Sequence, residues 1–380
     1  MERAVLVARH GRVLSCTLNR PRSLNALTLE MVRELRGVLG AFATDAHCRV
    51  LVLRGAGGKA FCAGGDMKAL AQDARAGGAL ARSFFAEEYN LNAAIAELDR
   101  PQVSVWDGIV MGGGAGLSVH GRFRVATERT LFAMPEGAIG FFPDVGASRF
   151  LNDLPGNAGT YLALSGARIG ASDACALGLA THFVPASRVG VGELEDALAN
   201  CATESEVDAR LRDLAAGAQP PAPADGAQPL APHRGAIERC FGQGSVSAIV
   251  RALDGERSEW AVQASRALRR QSPTSLVLTL HLLRQGAREP LRECLAREYT
   301  LAALLTAPPA ATGPASDFFE GVRAVLVDKD QRPAWHPPTL EQLDDEQIVR
   351  AHFAPPRAGS DIATVAHSIR AGGSVVRSQL

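Results

Sequence analysis

Lysine is almost absent from this 380-residue chain. It stands only at positions 59, 68 and 329, so arginine supplies nearly all of the 40 basic residues, a bias that reads as codon usage. Acidic residues also number 40, so there is no net formal charge and no broad basic field that would point to nucleic acid or an anionic membrane. Paired cysteines are missing too. The seven cysteines are odd in number and never spaced CxxC, which argues against a disulfide framework or a zinc site and for reduced thiols in a reducing compartment. The nine histidines show neither HxxxH nor HExxH spacing, so no metal is expected. No apolar run reaches membrane-spanning length. Strand-like alternation begins almost at once in MERAVLVARHGRV, so no signal or transit peptide is expected in the chain as it stands. The closing Ser378-Gln379-Leu380 has the outline of a peroxisomal tripeptide without its basic middle residue.

What is present is the composition of a globular enzyme, 47% apolar and 21% charged, long enough for one large domain or two smaller ones. Residues 3–19 read as a hairpin around His10-Gly11-Arg12. Thr28 is placed to cap a helix over LEMVRELRGVLGAFA (29–43). A buried strand over 49–55 leads toward a first glycine loop, FCAGGD (61–66), and a helix is expected over 83–98, closed by Asp99-Arg100-Pro101. A second buried strand over 102–110 leads to a second glycine loop, MGGGAG (111–116). Strand, glycine turn and helix thus recur, which predicts an α/β spiral. From about 193 the pattern turns helical, with segments at 245–253, 258–271, 273–285 and 290–305 and loose Pro/Ala/Gly stretches at 215–232 and 306–316. A short helix follows over 317–330, with Asp317 and Glu320 at capping-box spacing. The tail after Phe353 is expected to be poorly ordered.

The chemistry concentrates in MPEGAIGFFPDVG (134–146), which sets Glu136 and Asp144 eight apart among apolar residues and glycine. Acids in such surroundings are costly unless paired, hydrogen-bonded or used. With two glycine loops upstream, they suggest carboxylates facing backbone N–H donors, the equipment for attacking a carbonyl and holding the oxyanion. Blander readings stand beside this one. Either acid could cap a turn, and either glycine loop could be a steric necessity. MGGGAG lacks the GxGxxG register and the GK[ST] of nucleotide loops. Glu88 could be a surface charge, or it could point inward, one turn from Phe84 and Phe85. Cys62 reads as a small core residue, and His120 and His182 as hydrogen-bonded histidines near the core.

The order FCAGGD, EEY, MGGGAGLSVHGRFRVATERTLFAMPEGAIGFFPDVG and YLALSGARIGASDACALGLATHFV resembles the crotonase (enoyl-CoA hydratase/isomerase) superfamily, and within it most the 3-hydroxyisobutyryl-CoA hydrolase branch. The resemblance continues through SPTSL (272–276), EY (298–299) and DFFEGVRAVLVDKDQRPAW (317–335). It implies a ββα superhelix: a core over 1–192, a helical C-terminal region over 193–353 that helps cover the acyl-CoA, and the tail 354–380. It also implies site roles. The N–H groups of Gly65 and Gly113 would hold the oxyanion. Glu136 would be the catalytic carboxylate, with Asp144 its partner near the substrate hydroxyl. Glu88 would face the substrate, and the backbone of Ala63 would lie near the adenine. Hydratases of this kind carry a glutamate where this chain has Gly116, and a small residue where it has Asp144. That difference shifts the expected reaction to hydrolysis of 3-hydroxyisobutyryl-CoA in valine breakdown. The alternatives are a hydratase or isomerase on a related acyl-CoA, or a non-catalytic acyl-CoA-binding member. Ala147-Ser148 departs from the glycines common in relatives. The acyl-CoA is the expected partner, without metal, resident cofactor, nucleic acid or membrane, and a homo-oligomer stays open. The expected location is the cytoplasm of a bacterium or, in a eukaryote, the mitochondrial matrix rather than a peroxisome or glycosome.

Overall fold

The structure, a computed structural model, describes residues 3–222, 229–309 and 316–372. Its strands are β1 (Val5–His10), β2 (Val13–Leu18), β3 (Val50–Gly55), β4 (Ala60–Cys62), β5 (Gln102–Trp106), β6 (Ile109–Met111), β7 (Phe123–Ala126), β8 (Leu131–Ala133), β9 (Ile169–Gly170) and β10 (His182–Phe183). The helices of the first half are α1 (Leu29–Thr44), α2 (Met67–Arg75), α3 (Leu80–Ala96), α4 (Gly113–Gly116), α5 (Ala147–Phe150), α6 (Ala158–Ser165) and α7 (Ala171–Ala176). Then come α8 (Glu193–Leu198), α9 (Glu204–Ala215), α10 (Arg234–Phe241), α11 (Val246–Glu256), α12 (Glu259–Arg270), α13 (Pro273–Gly286) and α14 (Leu291–Leu305). The last are α15 (Asp317–Val322), α16 (Asp345–His352) and α17 (Asp361–Ala371). Among the described residues no helix is long and apolar enough to cross a membrane.

One compact unit comprises the described residues up to Gly65 with Leu91–Ala133 and Arg168–Ala231. It holds a six-stranded sheet in the order β1-β2-β3-β5-β7-β10 and a four-stranded sheet in the order β4-β6-β8-β9. The hairpin β1–β2 is antiparallel, whereas β2, β3, β5, β7 and β10 run parallel. Parallel strands are covered on both faces, which is why β3 opens on the apolar run VLVL and every residue of β5, Gln102 and Ser104 included, is buried. Successive turns of the chain give one strand to each sheet: β3 then β4, β5 then β6, β7 then β8. The single strand expected over 102–110 is therefore two strands in different sheets. The break falls at Gly108 (φ +94), where a Cβ would lie 2.2 Å from the Lys59 carbonyl oxygen. Likewise the first glycine loop is entered from β4, not from the strand over 49–55. Thr28 does cap α1, accepting from the Met31 N–H at 3.3 Å, and Met31, Val32, Leu35, Leu39 and Phe42 are buried.

The core of this unit joins Val13, Val50, Val52, Val103, Val105 and Val125 to Leu194, Leu198, Val207 and Leu211. Each such side chain contributes roughly 1.5–3 kcal/mol when fully buried. Helices α8 and α9 thus pack on the sheet, and the expected boundary at 192/193 does not divide the molecule. Arg54 and Glu195 form a buried pair at 2.7 Å, and Ser15 Oγ donates to Glu195 at 2.8 Å.

The other unit comprises Asp66–Asn90, Met134–Ala167 and the described residues from Pro232 onward, and it is helical. Ser245, Ser258 and Ser272 cap α11, α12 and α13. Phe141 stacks on Phe85 (5.4 Å between centroids) and Phe142 (4.5 Å), and Phe318 packs against it at 5.6 Å. The cap of α15 is Ser316, not Asp317. The Asp317 carboxylate instead accepts from Ser272 Oγ (2.5 Å) and the His336 N–H (2.9 Å), while Glu320 pairs with Arg323. Part of the expected disordered tail is helix α17, capped by Ser360 with Ala366 and Ile369 buried. It lies against α14, where Arg292 donates to the Ile369 carbonyl at 2.7 Å and Arg370 pairs with Glu293 at 2.8 Å. The loose stretches at 215–232 and 306–316 lie partly outside the described residues, as does the terminal Ser378-Gln379-Leu380.

Candidate active site

In the sheet-bearing unit, β4 and β6 are parallel neighbours, paired Ala60↔Ile109 and Cys62↔Val110. A glycine loop follows each. The first is fixed by the Ala63 N–H to the Leu24 carbonyl (3.0 Å) and the Leu27 N–H to the Gly64 carbonyl (2.8 Å). Cys62 is buried and its sulfur accepts from the Gly64 N–H at 3.4 Å, a packing role rather than an exposed nucleophile's. The second loop turns at Gly112 (φ 48, ψ −120), backbone that side chains avoid. A Cβ on Gly64 would lie 3.5 Å from the Gly113 nitrogen, and one on Gly114 would lie 2.3 Å from the Cys62 carbonyl oxygen. The loops therefore pass backbone to backbone; the close approach explains glycine at 114, and a positive φ of +99 explains it at 64. Among the described residues no hydrogen bond uses the N–H of Gly65 or of Gly113. Gly116, where hydratases carry a glutamate, is buried in α4. His182 pairs with Asp208 at 3.2 Å, as a histidine near the core would.

The helical unit gathers the acids. Glu88 on α3, Glu136 and Asp144 are each at most 7% exposed, and so is Glu298 on α14. Glu136 opens a tight helical turn, Glu136–Ile139, directly after Pro135. Among the described residues its Oε2 has no hydrogen-bond partner, nor has Oε1 of Glu88. Asp144 Oδ2 accepts from the buried Tyr89 hydroxyl at 2.6 Å. Glu298 Oε2 accepts from the Gly146 N–H at 2.7 Å, and its Oε1 accepts from the Ser148 N–H at 3.1 Å and from Ser148 Oγ at 2.5 Å.

Burial raises the proton affinity of all four acids, and the charge of Asp144 raises the other three further. Glu88 is pushed well above the ordinary carboxylate range by burial, then by the charges of Asp144 and Glu136. Glu136 is pushed up by burial and by Asp144. Burial lifts Asp144 to about 7 even though Tyr89 holds it down. Burial lifts Glu298 to about 8 against its Ser148 and Gly146 hydrogen bonds. Asp144 and Glu298 therefore change protonation near neutrality, while Glu88 and Glu136 hold their protons well above the ordinary carboxylate range, as suits acid–base chemistry.

The structure brings Glu88, Glu136 and Asp144 into one cluster and resolves Glu88 as inward-pointing. Sequence reasoning gave no role to Tyr89 or Glu298. Glu298 had a visible signal: in LRECLAREYTLAALL it occupies the apolar stripe of Cys294, Leu295, Leu301 and Leu305, all buried.

Comparison with known proteins bears on this geometry. The enoyl-CoA hydratase/isomerase family model matches residues 13–353. The chain is similar to the mitochondrial 3-hydroxyisobutyryl-CoA hydrolase of Danio rerio, 44% identical over 90% of this chain and 88% of that protein. The Rattus norvegicus protein of the same name is also 44% identical, over 90% and 87%. Among solved structures, a carnitinyl-CoA dehydratase from Mycobacterium thermoresistibile is 38% identical with a TM-score of 0.83, over 94% of this chain and 98% of that one.

Proposed function

Because the chain belongs to the enoyl-CoA hydratase/isomerase family and has its crotonase fold, we propose that it hydrolyses 3-hydroxyisobutyryl-CoA to CoA and 3-hydroxyisobutyrate, a step of valine breakdown. The observation that carries this reading is the buried pairing of Asp144 with Tyr89 in one cluster with Glu136, while position 116 is glycine. The names of the relatives from Danio rerio and Rattus norvegicus support it.

In the proposed mechanism the N–H groups of Gly65 and Gly113 hold the thioester oxygen as it becomes an oxyanion. Glu136 takes a proton from water as the water oxygen adds to the carbonyl carbon. The C–S bond then breaks, and the CoA sulfur leaves with that proton. Alternatively, Glu136 attacks directly, expels CoA thiolate, and forms a mixed anhydride that water opens. Its raised proton affinity makes Glu136 a stronger base once ionised. Asp144 takes the substrate's 3-hydroxyl, Glu88 faces the acyl group, and the backbone of Ala63 lies toward the adenine. No resident cofactor is required, because the CoA arrives with the substrate. The proposed location is the cytoplasm of a bacterium or, as the relatives' names suggest for a eukaryote, the mitochondrion.

The test is thiol release from 3-hydroxyisobutyryl-CoA, isobutyryl-CoA and crotonyl-CoA, with hydration of crotonyl-CoA followed in parallel. Hydrolysis led by the 3-hydroxy substrate supports the proposal. Efficient hydration with little thiol release would favour the second reading, a hydratase or dehydratase, which the name of the solved relative motivates. No turnover of any of them would favour a non-catalytic binding protein.

A further inference from the structure

Asp144, Val145 and Gly146 form a tight turn in which the Ala147 N–H donates to the Asp144 carbonyl at 2.9 Å. Both central residues are left-handed, Val145 at φ 53 and Gly146 at φ 83. Glycine takes that conformation freely, but a β-branched valine resists it. Such backbone persists only where its surroundings over-determine it.

Two distant elements hold this turn. The Tyr89 hydroxyl on α3 takes Asp144 Oδ2 at 2.6 Å. Glu298 on α14 takes the Gly146 N–H at 2.7 Å and the Ser148 N–H at 3.1 Å, one on each carboxylate oxygen, with Ser148 Oγ as a third donor at 2.5 Å. The first grip sets the carboxylate plane of Asp144, and the second sets the backbone from which that carboxylate hangs. Glu298 is fully buried, and no step of the proposed hydrolysis uses it.

We propose that Glu298 is a positioning residue: by bracing Gly146 and Ser148 it holds the left-handed turn, and so aims the Asp144 oxygen that Tyr89 does not occupy at the 3-hydroxyl of the substrate. This rests on the reading of Asp144 as the 3-hydroxyl partner. Glutamine at 298 keeps the shape but presents an NH2 to one of the two backbone N–H groups, so one arm of the brace is lost.

The readout is the ratio of kcat/KM for 3-hydroxyisobutyryl-CoA to that for isobutyryl-CoA, measured on proteins shown to be folded by circular dichroism. Glu298→Gln should lower this ratio about tenfold, because a misaimed acid loses the hydroxyl contact and spares the common part of the substrate. Ser148→Ala removes one arm, leaves the carboxylate in place and so carries the test should Glu298→Gln not fold. It should lower the ratio about threefold. A wild-type preference for the 3-hydroxy substrate that folded variants leave unchanged, both substrates slowing together, would overturn the role of Glu298 alone. A wild-type enzyme with no such preference would overturn the reading of Asp144, and the positioning role with it.

Discussion

Tyr89→Phe removes a single hydroxyl, and its effect can be worked out from the structure. That hydroxyl sits 2.6 Å from Asp144 Oδ2, and both residues are buried. A hydrogen bond to a charged group contributes about 1.5–3 kcal/mol, so the ionised form of Asp144 loses that much while the neutral form loses little. One unit of pKa corresponds to about 1.4 kcal/mol, so the group near 7 should move up by about one to two units. Where the reaction needs ionised Asp144, kcat/KM for 3-hydroxyisobutyryl-CoA near neutral pH should fall about tenfold and recover as pH rises. Stability should respond with a definite sign. A folded pKa raised above the unfolded value of 3.8 contributes stability that is fully present below the unfolded value and lost as pH rises through the folded one. The deleted hydroxyl relieved part of that loss, so Tyr89→Phe should cost more in urea unfolding at about pH 9 than at about pH 6. The assays are a pH–rate profile by thiol release and paired unfolding curves. An unmoved acidic limb, with an equal stability loss at both pH values, would show that Tyr89 does not tune Asp144.

Glu136→Gln should reduce thiol release by ~10²–10⁴ with the fold intact, since it removes the base and keeps the shape; near-wild-type turnover would make Glu136 structural. Gly113 is the first residue of α4, so a Gly113→Pro variant shown to be folded by circular dichroism should lose about 10²–10³ in kcat with the missing N–H. Full activity in that variant would remove Gly113 from the oxyanion role. Glu195→Ala strands the buried guanidinium of Arg54 and should cost about 3–5 kcal/mol in thermal or urea unfolding. A loss under about 1 kcal/mol would mean that water reaches Arg54.

What could be read from the sequence follows from where each element's cause lies. Helices α11 to α13 were legible because their causes are local: serines 245, 258 and 272 accept the first N–H groups, and apolar residues recur at helical spacing. The split of 102–110 was not legible, because VSVWDGIVM is apolar on both sides of Asp107-Gly108. Its cause is the approach of Gly108 to the Lys59 carbonyl, distant in sequence. The membership of α8 and α9 was hidden for a similar reason: periodicity shows that Leu194, Leu198, Val207 and Leu211 face something, not that they face β-strand valines. Helix α17 is poor in large apolar residues and gains its contacts from α14. In the site, Glu136 and Asp144 stood out as acids in apolar surroundings. Glu298 carried the same mark, but its partners are backbone N–H groups at 146 and 148, which no side-chain pattern announces.

The pairing of β4 with β6 works as a caliper. Its jaws are the two glycine loops, and its gap is the spacing of adjacent strands, about 4.8 Å in any sheet. That distance is set by peptide chemistry, not by side chains, so substitutions elsewhere in the spiral cannot open or close it. The pairing carries one register shift, between Ala60 and Cys62, and beyond it the close approach of Gly114 to the Cys62 carbonyl holds one jaw against the other. On the proposed reading of the two loops, the carboxylates of the helical unit could be reworked for another acyl group while the spacing of the two N–H groups keeps its setting.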